Sequence, residues 1–74
     1  MGVKQITSKT EFDNAAARLV GGMVSVVQST RQSAAREAAE MLGQLPKDIA
    51  NNKAAQDDIK ALKTLIERVN AERL

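Results

Sequence analysis

The chain has 74 residues and a formal net charge of +2, from eleven Lys and Arg against nine Asp and Glu, with one Phe as its only aromatic residue and no Cys or His. Disulfides are thereby excluded, the two commonest zinc ligands are missing, and charges this balanced and interleaved argue against a nucleic-acid partner. A single domain of this size sits near the limit at which one copy supplies its own core, so a second subunit is the expected source of help.

Residues 1–9 read as an N-terminal arm that is either disordered or packed on a neighbour through Val3 and Ile6. The arm has no apolar core of the secretory type, and the longest uncharged run in the chain, the twelve residues from Leu19 to Thr30, falls short of the roughly 20 apolar residues a membrane span needs. The expected location is the cytoplasm, with export by a signal-independent route left open.

The first helix is expected to begin at Thr10, where a capping hydroxyl precedes Glu11 and Asp13. At 100° per residue Phe12, Ala16, Leu19, Val20, Met23, Val24, Val26, Val27, Thr30, Ala34, Ala38, Met41, Leu42 and Leu45 fall within one arc of about 160°. The phase holds across Gly21-Gly22 although each interior glycine weakens a helix by about 1 kcal/mol. We therefore expect one long helix over about 10–45. Gly43 and Pro46 end it, and residues 46–51 form a turn or one short helical piece. A second helix over about 52–73 follows, since Ala55, Ile59, Leu62, Ile66 and Val69 repeat with alternating spacings of four and three, a narrow seam of the coiled-coil kind.

The expected architecture is thus all-α, a hairpin of unequal arms completed by oligomerisation. At 1.5 Å per residue the arms are roughly 54 and 32 Å long, which leaves about 20 Å of the first helix uncovered. That overhang carries the candidate interface: Phe12, Leu19, Val20, Met23, Val24 and Val27. Burying the first five of these side chains, which lie on the overhang itself, contributes roughly 8–15 kcal/mol, so they are not expected to face water. The alternative architecture is a three-helix bundle broken at Gly21-Gly22.

The opposite face aligns small residues between two arginines. Arg18, Ser25, Ser29 and Arg36 form a candidate anion site at a subunit junction, because guanidinium suits phosphate and carboxylate. The two arginines are about 27 Å apart on a straight helix, so a small anion would need them from different copies. Catalysis has little to draw on. Asp57 and Asp58 point to different sides of a helix, and Gly21-Gly22 lies inside a helix and not between strand and helix as a phosphate loop does. No cofactor or metal is expected.

The functional expectation is a non-catalytic assembly protein that self-associates through its first helix. One alternative is a small oligomeric inhibitor or scavenger that binds an anion such as a nucleotide between subunits. Another is an adaptor that docks the first helix on a larger protein. In layout alone, two helices joined around a Pro-containing turn, the chain resembles the subunits of type III secretion needles. The aromatic-rich motifs of such subunits have no counterpart here, so the resemblance carries no residues over and implies only that helical hairpins can polymerise.

Overall fold

A computed structural model of the chain describes residues 8–72. These are all-helical, with four helices: α1 (Lys9–Met23), α2 (Gln28–Gly43), the single turn α3 (Lys47–Ala50) and α4 (Lys53–Ala71). Among the described residues no helix is long and apolar enough to cross a membrane.

The continuous helix expected over 10–45 is absent. Its two halves are α1 and α2, separated by Val24–Ser25–Val26–Val27, and the longest dimension of the molecule is 34 Å where the straight helix alone would span about 54 Å. Two local causes place the break. Three β-branched valines within four residues favour extended backbone, and the Ser25 hydroxyl accepts a hydrogen bond from the Val27 N–H at 3.1 Å, which competes with the helical pattern. Long-range burial supplies the rest. Folding back lets α1, α2 and α4 pack on one another in all three pairings, enclosing Phe12, Leu19, Met23, Met41, Ile59, Leu62 and Val69 in one core.

The break does not fall at Gly21-Gly22, because both glycines lie inside α1. Gly22 serves packing instead: a Cβ built on it would lie 2.7 Å from the Ala34 Cβ, so its missing side chain lets α1 and α2 approach closely. Around Gly21 there is open space.

The start of α1 also differs from expectation. Ser8, not Thr10, is the cap; its Oγ accepts from the Glu11 N–H at 3.2 Å, two residues earlier than the hydroxyl-and-acid pattern read from Thr10 and Asp13. Most of the expected N-terminal arm lies outside the described residues, as do the last two positions of the chain.

The second half follows its pattern closely. Asn52 caps α4, with its Oδ1 accepting from the Ala54 N–H at 2.8 Å, and Ala55, Ile59, Leu62 and Val69 are buried with Ile66 packed beside them. Ile49, which falls off that stripe, is buried from α3 and closes the core at the α2–α4 connection.

Candidate interaction surface

The six residues expected to form an interface separate into two groups. Phe12, Leu19 and Met23 are at most 3% exposed within a single chain, and Val20 is half-buried against the same core. Their apolar surface is taken up by α2 and α4, elements of the same chain. Val24 and Val27 are 62% and 51% exposed, and between them Val26 is 95% exposed. These three valines are the large apolar side chains most open to solvent among the described residues, and all three lie in the α1–α2 turn.

One cation braces that turn from below. Arg31, in the second turn of α2, donates from Nη1 to the Ser25 carbonyl at 2.8 Å and pairs through Nε with the Glu72 carboxylate at 3.0 Å, beyond the last residue of α4. The turn is thereby tied to the far end of the chain. The sequence pattern placed Val26 in the apolar arc without assigning it to the interface, and gave no role in the turn to Arg31 or Glu72. A signal for Arg31 was present: at 100° per residue it falls about 20° from Val20, inside the apolar arc, where an unbroken buried helix would have to accommodate a charge.

The candidate anion set is divided. Arg18 and Ser29 line one open groove of about 380 Å³ between α1 and α2, together with Thr30, Ser33 and the Glu37 carboxylate. Ser25 is engaged in the turn, and the exposed Arg36 is not among the residues lining the groove. Arg18 donates a hydrogen bond to Glu37, and this bond, helped by the charge of the carboxylate and opposed by slight burial, raises the guanidinium above its ordinary pKa. An anion entering the groove would meet a neutralised cation beside a carboxylate of its own sign.

Among the described residues no group of three or more acidic side chains converges as a metal site, and no buried side-chain nitrogen or oxygen lacks a hydrogen-bond partner. In comparisons with known proteins, no family model matches the chain, no curated protein matches it, and no solved structure matches it.

Proposed function

We propose that the chain is a non-catalytic helical interaction module that associates with further copies of itself, and that Val24, Val26 and Val27 belong to the contact. The observation that carries this reading is the concentration of exposed large apolar side chains at one turn, while every Phe, Leu, Ile and Met among the described residues is buried wholly or in part. Scattered exposed valines are ordinary, whereas three within four residues at one tip form a patch. A core this small also gains from any further apolar burial.

The experiment is absolute mass by light scattering after size exclusion, over a concentration series, for the parent and for Val24→Asp and Val26→Asp. These positions are exposed, so the variants keep the helicity of the folded chain while their association weakens at least tenfold. A parent that stays at the 8.0 kDa of one chain throughout the series would end the proposal.

A further inference from the structure

From the turn geometry we infer that two copies associate by exchanging α1. The Val24–Val27 turn straightens, α1 and α2 become one helix, and each α1 docks in the α2–α4 groove of the other copy. This deepens the proposed self-association and rests on it.

Buried area favours exchange over a contact between tips. Three valine side chains offer on the order of 300 Å² per copy, so a tip-to-tip pair buries roughly 600 Å², the size of a crystal-packing contact and below the ~1,200 Å² at which stable specific interfaces begin. Exchange supplies the missing surface without any new complementarity. The contact that α1 makes with α2 and α4, through Phe12, Ala16, Leu19 and Met23 at 4% exposure or less, is rebuilt between chains, and two such contacts bury roughly 2,000 Å².

The backbone of the turn also permits the straightening. No described residue has a positive φ, Val24 stands close to the helical region at φ −104°, ψ 7°, and Val27 departs from it chiefly in ψ, at 117°. Residues 24–27 can therefore enter a helix without strain. The apolar phase already runs through them: Val20, Val24 and Val27 are spaced by four and three and form one stripe on a continuous helix. In the exchanged pair the two straightened segments cross at the twofold axis, and Val24 and Val27, which face water in the single copy, meet their equivalents there. The Arg31–Glu72 pair lies within the α2–α4 unit and is kept; the Ser25 hydroxyl bond and the Arg31 bond to the Ser25 carbonyl are given up for helical ones.

Two variants test the exchange. The chain has no cysteine, so Arg18→Cys with Glu37→Cys places a unique thiol pair where the exposed Arg18 of α1 and the half-buried Glu37 of α2 now touch. The protein is refolded at high concentration, its mass is measured by light scattering, and the thiols are bridged with a short bismaleimide before a denaturing gel. Exchange joins residue 18 of one copy to residue 37 of the other and yields a covalent dimer; Arg18→Cys alone yields none. A native dimer that gives only single chains on the gel overturns the exchange and leaves self-association standing. A native monomer overturns both.

Gln28→Pro in the otherwise natural chain is the second variant. Residue 28 is the first of α2, where proline fits, and Val27 before it is already extended, as a residue preceding proline must be. In a straightened helix the same proline removes the hydrogen bond to the Val24 carbonyl and clashes with it. The variant is expected to keep the circular dichroism of the folded chain and to run at half the parent's mass at concentrations where the parent is dimeric. A Gln28→Pro dimer of undiminished stability overturns the exchange.

Discussion

The chain reverses direction twice, and the two connections are built in opposite ways. Between α2 and α4 the reversal is written in local chemistry: Gly43 at the end of α2, Pro46 before α3, and Asn52 capping α4. Gln56 donates from its amide to the Ala50 carbonyl at 2.5 Å, and Ile49 turns its side chain into the core. Between α1 and α2 no glycine or proline stands in the turn, the residue preceding α2 offers no side-chain cap, and the apolar residues point outward. One connection is specified by its own residues and covered by the fold. The other is imposed by the burial of what lies on either side of it, and it leaves apolar surface in water.

The largest expected difference between them is the response to truncation. Ile49→Ala opens a cavity beneath α3 at a side chain 4% exposed and should cost about 2–5 kcal/mol. Val26→Ala trims the most exposed large apolar side chain among the described residues and should leave the stability of the single copy within about 0.5 kcal/mol. Urea unfolding of both variants at low concentration reads the contrast. A large loss at Val26 under those conditions would mean that the tip is buried even in the single copy.

The two glycines near the end of α1 sharpen the same point. Alanine normally stabilises a helix interior by about 1 kcal/mol over glycine, and Gly21→Ala, with open space around it, should show that gain. Gly22→Ala should reverse it. Its new Cβ would meet the Ala34 Cβ at 2.7 Å, and since neither is the end of a flexible side chain the helices must part, at about 1–3 kcal/mol. Thermal melts that moved both variants in the same direction would contradict the close approach of α1 to α2.

Much of this was legible in the residues, and what was missed has a common cause. The α4 seam, the Asn52 start and the helical scrap around Ile49 follow from periodicity and from turn chemistry. The break after Met23 does not, because the apolar phase of α1 continues into α2 and the phase of a helix is blind to whether the helix bends. Gly21-Gly22 was read as the alternative place for a break, whereas Gly22 serves close packing against Ala34, twelve residues further on. Of the candidate interface, Val24 and Val27 are exposed, while Phe12, Leu19 and Met23 are buried within the chain by a fold-back that the pattern offered only as an alternative, with its break placed at Gly21-Gly22. Arg31 inside the apolar arc was the clearest sign available that the arc is not one continuous buried face.

Arg31 is also where the first turn is most dependent on the rest of the molecule. Its side chain is 22% exposed and holds both the Ser25 carbonyl and Glu72, so Arg31→Ala should cost about 1–2 kcal/mol and should speed amide exchange at residues 25–28 and at the end of α4 together. A change confined to one of these two segments would mean that they open independently.

The smallest expected effect compares the local bonds of the two turns. Asn52→Ala removes the cap of a nineteen-residue helix and should cost about 1 kcal/mol in any setting. Ser25→Ala removes one exposed bond to the Val27 N–H, and its cost to the single copy should be nearer 0.5 kcal/mol. The sign of its effect on association is the more informative readout. Alanine is a better helix former than serine, and the lost hydroxyl bond exists only in the folded-back turn, so Ser25→Ala should shift the balance toward the exchanged pair while Asn52→Ala leaves that balance unchanged. If both substitutions destabilise the single copy and neither alters the dimer fraction, the first turn is a fixed corner of the fold like the second, and the difference in how the two are built has no consequence for assembly.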